Sequence, residues 1–154
     1  MSEPWQNSKV IAQTQLIARS LKHWTGRELL PGDFPPEKFA EKVFRASFVL
    51  VSHGTEPDPV LNYGNQSALI LWEMSWTELT RTPSRYTAEA PNREERAQLL
   101  ATVTKQGFID NYAGIRISKT GRRFRIAQAT VWNLVNEHDD YCGQAAMFSQ
   151  WEFL

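Results

Sequence analysis

The last third of the chain reads almost entirely as β-strand, and this pattern restricts the fold more than any other feature. Apolar and polar residues alternate over 109–118, a spacing typical of a half-buried strand. A turn at 119–121 leads into a second strand over 123–135, and a turn at 136–140 leads into a third over 141–153. Because short connections join antiparallel neighbours, the sequence predicts three long strands that pair in chain order.

The first part of the chain has helical patterns. Val10, Ile17, Leu21 and Trp24 recur at helical spacing and predict a helix with one apolar face. That face can cover the sheet of its own chain or the sheet of a partner. The pair Pro35-Pro36 suits the first turn of a second helix.

The middle of the chain turns from strand to helix within the stretch VLNYGNQSALILWEMSW, residues 60–76. A strand at 47–53 precedes it, and the start of the stretch predicts a short antiparallel partner strand. Gly64 supplies the tight bend, and Asn65 is the predicted N-cap of the helix that follows. We expect this stretch, with its two tryptophans, to shape one wall of a pocket.

A further helix is predicted before the last three strands. Asn92 and Glu95 have the spacing of a capping box, and the helix is expected to end near Gly107. The resulting order is two helices, two strands, several helices and three strands. It predicts an α+β fold with helices packed on one face of an antiparallel sheet.

Composition limits the function classes. Lysine plus arginine and aspartate plus glutamate both total 17, and the zero net charge argues against a dedicated nucleic-acid or membrane-surface binder. The single cysteine, Cys142, forms no intramolecular disulfide, which fits a reducing compartment. The N-terminus lacks a signal-peptide pattern, and no apolar run is long enough to span a bilayer. We expect a cytoplasmic protein that interacts with neither membrane nor nucleic acid.

Several stretches together resemble the MEKHLA family, a PAS-like domain found as stand-alone bacterial proteins and at the C-terminus of plant homeodomain–leucine zipper proteins. They are HWTGRELL at 23–30, VLNYGNQSALILWEMSW at 60–76, TPSRYTAE at 82–89, RISKTGRRFRIAQATVWNL at 116–134, and GQAAMF with Trp151. The resemblance implies a PAS-like five-stranded antiparallel sheet at 45–154, preceded by an N-terminal helical extension at 1–44. The chain contains neither a homeodomain nor a heptad zipper, so a DNA-binding role does not carry over.

The PAS-like resemblance implies a small-molecule pocket between the inner sheet face and the helices. Polar groups within an apolar strand face are the expected contacts, and a structural role with a satisfied amide is the alternative. The candidates lie on the predicted strands and at the strand-to-helix bend, and they are Gln128, Thr130, Trp132, Gln144, Asn62, Tyr63 and Trp72. The resemblance leaves the ligand, any cofactor and the protein partner unassigned.

Three function hypotheses follow. The first is a sensory module that acts by binding, and the second is a protein–protein interaction module that dimerises through its N-terminal helix or its sheet. The third is a small enzyme with a similar pocket, for which Asp110 is the only acid–base candidate. Strand alternation places Asp110 on one face with Tyr112 and Arg116, and an ion-paired surface trio explains these residues too. The sequence shows no nucleophile motif, no phosphate-binding loop and no metal-ligand spacing among the histidines.

A basic cluster surrounds the turn at 119–121. It consists of Arg116, Arg122, Arg123 and Arg125. Anion binding is one interpretation, and a solvated outer face is the other. Cys142 is expected to act as a small buried hydrophobe.

Overall fold

Residues 3–154 are described by a computed structural model. Five α-helices and six strands follow the predicted order. The helices are α1 (Ser8–Thr25), α2 (Pro36–Phe44), α3 (Gln66–Trp72), α4 (Trp76–Leu79) and α5 (Ala90–Gln106). The strands are β1 (Val49–His53), β2 (Leu61–Gly64), β3 (Phe108–Ile117), β4 (Arg123–Val135), β5 (Tyr141–Phe148) and β6 (Gln150–Phe153). Short 3-10 turns lie at Pro4–Gln6 and Ser84–Thr87.

The strands form one antiparallel sheet in the order β2-β1-β5-β4-β3. The last predicted strand is interrupted at Ser149, and its two parts share one partner. β5 pairs with the second half of β4, whereas β6 pairs with the first half, where Phe124 lies opposite Phe153. The prediction of an α+β fold with a PAS-like five-stranded sheet is confirmed, with the fifth strand broken into two segments.

Asn65 holds the strand-to-helix bend together. Its side-chain oxygen accepts from the amide of Ala68, as predicted for an N-cap, and also from the amide of Leu50 in β1. Its side-chain nitrogen donates to the carbonyl oxygens of Val43 and Phe48. The side chain is fully buried, so one residue ties α2, β1 and α3 to each other.

The predicted start of α5 is wrong. The helix begins at Ala90, with Glu89 at the N-cap position, and Asn92 lies inside the first turn. Pro91 explains the earlier start, because a proline costs no hydrogen bond in the first turn of a helix.

α1 covers the outer face of the sheet. Ile17 and Leu21 are buried against Trp132 and Leu134 of β4. The Trp132 indole nitrogen donates to the Ile17 carbonyl oxygen at 3.2 Å, and the Trp24 indole donates to a backbone carbonyl of the same strand. The apolar stripe of α1 therefore covers the sheet of its own chain.

The inner face of the sheet is covered by α3 and α5. Trp72 at the end of α3 meets Phe124 and Phe148 edge to face, with ring centroids 5.4 and 6.2 Å away. Leu99 and Val103 of α5 pack on Val131 of β4. The space between these two groups of side chains is the candidate site.

Two β-bulges change which side chains face that space. β4 contains one extra residue at Gln128 (φ 53°), and β3 contains one at Asn111 (φ 55°). Because one inserted residue exchanges the faces of all later side chains, Phe124 and Ile126 point inward, whereas Thr130 and Trp132 point to the outer face. The candidates Thr130 and Trp132 therefore lie on the face opposite to Phe124 and Ile126.

Candidate functional site

The candidate site is a cavity of about 60 Å³ between the inner sheet face and α5. Its walls are mainly apolar and include Trp72, Leu99, Ile126, Val131 and Phe148. Pockets for drug-sized ligands hold roughly 300–1,000 Å³, so this cavity fits only a molecule much smaller than a typical drug.

Two arginines interrupt the apolar wall. Arg116 of β3 is 7% exposed; it donates to the Ile115 carbonyl oxygen at 2.8 Å and to the Tyr112 hydroxyl at 3.1 Å. Arg96 of α5 also lines the cavity, and within residues 3–154 no hydrogen bond or ion pair holds its guanidinium group. Burial, reinforced by the charge of Arg116, lowers the pKa of Arg96 to about 10. The cavity is thus positively charged at one end.

A chain of buried hydrogen bonds forms the other polar part of the cavity. The Gln144 side-chain nitrogen donates to the Asn133 side-chain oxygen and to the Leu100 carbonyl oxygen, each at 3.1 Å. Asn133 in turn donates to the Val103 carbonyl oxygen at 3.0 Å. These contacts fix the Gln144 amide, so its oxygen faces the His53 Nε2 at 3.2 Å.

Both ring nitrogens of His53 face acceptors. Nε2 lies against the Gln144 oxygen, and Nδ1 lies 3.2 Å from the Gly54 carbonyl oxygen. A neutral imidazole has one N–H and can satisfy only one of these acceptors. Burial, together with the positive charge of Arg96, nevertheless lowers the pKa of His53. The two acceptors favour the protonated, charged ring of His53. Burial and the charge of Arg96 favour the neutral ring.

The structure brings two of the seven predicted pocket residues to the cavity, Trp72 and Gln144. Their contact with a ligand stays a prediction. Gln128 is exposed at its bulge and accepts from the Gln150 side chain at 3.2 Å. Thr130 lies on the outer face and donates to Asp110 at 2.6 Å.

The remaining three candidates also lie away from the cavity. Trp132 and Tyr63 belong to the cluster beneath α1. Asn62 is exposed and accepts from the Ser52 hydroxyl at 2.6 Å. Trp132 lies on the outer face because the register of β4 changes at its bulge. In β2, Tyr63 lies opposite Ser52 and faces α1, and the register irregularity between Leu61 and Tyr63 leaves Asn62 on the same side, where it accepts from Gln13 of α1 at 3.4 Å.

The expected trio of Asp110, Tyr112 and Arg116 is divided between the two faces. Asp110 pairs with Arg27 at 2.9 Å on the outer side, whereas Tyr112 and Arg116 line the cavity. The extra residue at Asn111 separates them. The enzyme hypothesis built on this trio therefore loses its shared site.

The predicted basic cluster is divided as well. Arg116 points into the cavity, whereas Arg123 and Arg125 pair on the surface with Glu89 and Glu152 at 3.7 and 3.1 Å. Arg122 stacks over Phe153, with its guanidinium carbon 3.7 Å from the ring centroid. Cys142 is half-buried rather than buried, and its thiol lies 3.3 Å from the Asp140 carbonyl oxygen.

Sequence reasoning missed Arg96, although a signal was present. Arg96, Leu99, Leu100 and Val103 have the spacing of one helix face, so a charge lies within an apolar stripe. A charged residue at such a position is either paired in the core or directed into a cavity. His53 carried a weaker signal, because a polar residue commonly ends a strand.

The comparisons with known proteins agree with this architecture. The sequence profile of the MEKHLA domain matches residues 11–153. The chain belongs to the MEKHLA domain family. Homeobox-leucine zipper protein ATHB-14 of Arabidopsis thaliana is a relative with 26% identity over 142 residues. The match covers 90% of this chain but only 17% of ATHB-14, so the MEKHLA chain corresponds to a small part of that protein.

Solved PAS structures share the MEKHLA fold. A PAS domain from Colwellia psychrerythraea superposes with a TM-score of 0.64 at 13% identity, covering 77% of this chain and 95% of the other. The light-state dimer of the fungal blue-light photoreceptor Vivid gives a TM-score of 0.58 at 12% identity, covering 85% of this chain and 89% of the other. At these identities the likeness establishes the fold.

Two features are absent from residues 3–154. No helix in this range has the length and apolar character needed to cross a membrane. Over the same residues, no three or more His, Cys, Asp or Glu side chains cluster in a way that would hold a metal ion.

Proposed function

We propose that this MEKHLA domain is a PAS-like sensory module that binds a small molecule in the cavity beneath α5. The observation that carries the proposal is the cavity itself, a mostly apolar space into which a few polar side chains project. A cavity with two arginines at one end and packed rings at the other is suited to the recognition of a ligand. In this proposal the module acts by binding a ligand.

Signal transfer would pass through the sheet. Val131 lines the cavity, and the next residue, Trp132, donates to α1 on the other face. A ligand that shifts β4 therefore alters the contact with α1. We place the module in the cytoplasm, which its single cysteine supports.

A substitution that fills the cavity tests the proposal. Ala146 of β5 lines the space, and Ala146→Leu would occupy it. Ala97→Leu adds the same atoms at an exposed position of α5 and serves as the control. Small molecules released from gently purified protein would be identified by mass spectrometry, and an empty protein would be titrated with metabolite pools and followed by amide NMR.

We expect the wild type and Ala97→Leu to carry or bind the same molecule and Ala146→Leu to lose it. Equal binding by all three proteins would contradict a ligand site in this cavity.

Self-association is a second proposal. The Vivid structure is a dimer of the same fold, and Ile70 of α3 is 72% exposed in this chain. Light scattering across protein concentration, with Ile70→Ser as the variant, tests it. A dimer that Ile70→Ser weakens would support it, and a monomer at all concentrations would contradict it.

A further inference from the structure

The charges that line the cavity are not balanced. Arg96 and Arg116 both line it, and none of its lining residues is acidic. The nearest carboxylate in the hydrogen-bond network is that of Glu95, which accepts from the Tyr112 hydroxyl at 2.9 Å and is itself exposed. Two guanidinium groups thus share one small space without a carboxylate between them.

Arg116 is buried and Arg96 is half-buried, so the two like charges are unfavourable next to each other, and an anion between them would relieve that repulsion. Burial of a charge without a partner is unfavourable, and two like charges in one cavity repel each other. Arg116 is anchored by its two hydrogen bonds, whereas Arg96 has its donors free within the described chain. Arg96 is therefore the group available to a ligand.

The rest of the cavity restricts the kind of anion. Trp72, Leu99 and Phe148 offer apolar surface next to the arginines. The amide nitrogens of Gln144 and Asn133 are already engaged with protein acceptors. A fully polar anion such as phosphate would leave several oxygens unpaired against this wall, whereas a carboxylate with a short hydrocarbon tail would pair one end and bury the other.

On the basis of the proposed ligand-sensing function, we infer that the cavity binds a short-chain carboxylate. Arg96 and Arg116 hold the carboxylate group, and the hydrocarbon tail lies against the rings and Leu99. The cavity volume of about 60 Å³ limits the tail to a few carbons. Arg96 supplies most of the recognition, because its donors are not already used.

The first experiment compares charged and neutral ligands of equal shape on the wild-type protein. Propionate, propionamide and inorganic phosphate would each be titrated into isotope-labelled full-length chain, with the amides of Leu99 and Ala146 as reporters. We expect propionate to bind at least about tenfold more tightly than propionamide, since a charge-assisted hydrogen bond contributes roughly 1.5–3 kcal/mol. Phosphate is expected to bind more weakly than propionate.

The second experiment removes the charge. Arg96→Met keeps the aliphatic stem and should weaken propionate binding by about tenfold or more. It should leave folding intact, because no partner loses its contact. Arg125→Met is the matched control, since Arg125 is exposed and pairs with Glu152 on the surface; its propionate affinity should equal that of the wild type.

Several outcomes would overturn the inference. Propionamide binding as tightly as propionate would exclude charge recognition while leaving a sensory cavity. Tighter binding of phosphate would assign the arginines to an inorganic anion. A failure of all three compounds to shift the reporters would exclude this ligand class, and the loss of a different molecule from Ala146→Leu would still support the sensory function.

Discussion

At the scale of single residues, the buried polar side chains differ in how they affect the stability of the fold. His53 and Asn65 are both buried, but their hydrogen bonds have opposite consequences. Asn65 satisfies two donors and two acceptors at once. His53 faces two acceptors with one proton in its neutral form, which makes its contribution to stability depend on pH.

The pKa of His53 gives a pH prediction. Burial and Arg96 lower it from the ordinary value of 6.5. Below about pH 6.5 the unfolded chain therefore binds more protons than the folded chain, and the free energy of unfolding falls as pH decreases toward the folded-state pKa. Urea unfolding between about pH 5 and 8 should show this loss in the wild type and a smaller loss in His53→Gln.

His138→Gln is the control for that experiment. His138 is exposed in the turn before β5, so its removal should leave the pH dependence as in the wild type. An identical slope in the wild type and His53→Gln would contradict the assignment.

Asn65→Ala is predicted to be severely destabilising. The substitution leaves the amides of Leu50 and Ala68 and the carbonyl groups of Val43 and Phe48 without their partner. We expect a loss of about 2–4 kcal/mol in the free energy of unfolding, measured by urea denaturation. Asn7→Ala removes the exposed N-cap of α1 and should cost only about 1 kcal/mol. Equal losses would show that burial adds nothing to the role of Asn65.

At the scale of elements, close strand approach depends on one glycine. Gly143 of β5 has a φ of 121°, and a Cβ atom there would lie 2.1 Å from the His53 carbonyl oxygen. A side chain at this position would push β1 away from β5 beside the cavity. The register that places His53 opposite Gln144 depends on this approach.

A comparison of Gly143→Ala with Gly121→Ala distinguishes the cost of a steric clash from the cost of backbone strain. Gly121 also has a positive φ of 93°, but nothing lies within 4 Å of its Cβ position. Gly121→Ala should therefore lose about 1–2 kcal/mol from strain alone, and Gly143→Ala should lose roughly 1–3 kcal/mol more. Thermal and urea unfolding measure the difference, and equal losses would contradict the predicted backbone conflict.

The elements also show what the sequence could predict. Strand alternation, the N-cap at Asn65 and the helical stripe of α1 depend on neighbouring residues, and the structure has all three. The bulges at Asn111 and Gln128 are set by pairing with strands far along the chain. A glutamine at a bulge resembles any polar strand residue, so the exchange of faces beyond it has no local signal.

At the scale of the whole molecule, helices pack on both faces of the sheet. α1 covers the outer side, and α3 and α5 cover the inner side. The boundary between an extension at 1–44 and a domain at 45–154 stays a prediction. The packing implies that the second segment needs the first for stability.

Truncation tests this dependence. Removal of residues 1–44 would expose Tyr63, Trp132 and Leu134, which α1 buries. We expect the shortened chain to lose cooperative thermal unfolding and to bind a hydrophobic dye. Removal of residues 1–3 alone keeps the 3-10 turn at Pro4–Gln6 and the Asn7 cap and should leave unfolding nearly unchanged. A shortened 45–154 chain with a sharp transition would contradict the dependence.

Because helices pack on both faces of the sheet, tryptophans on the two faces can serve as separate intrinsic fluorescence probes. The Trp72 indole borders the cavity. On the opposite side of the sheet, the Trp132 indole lies beneath α1, and the Trp24 indole reaches from α1 to the backbone of β4. Indole emission depends on the local environment. Quenching of Trp72 alone would therefore indicate a change confined to the cavity. A change in all three would mark a disturbance that has crossed the sheet. Single-tryptophan variants would thus measure how far an event travels without any attached dye.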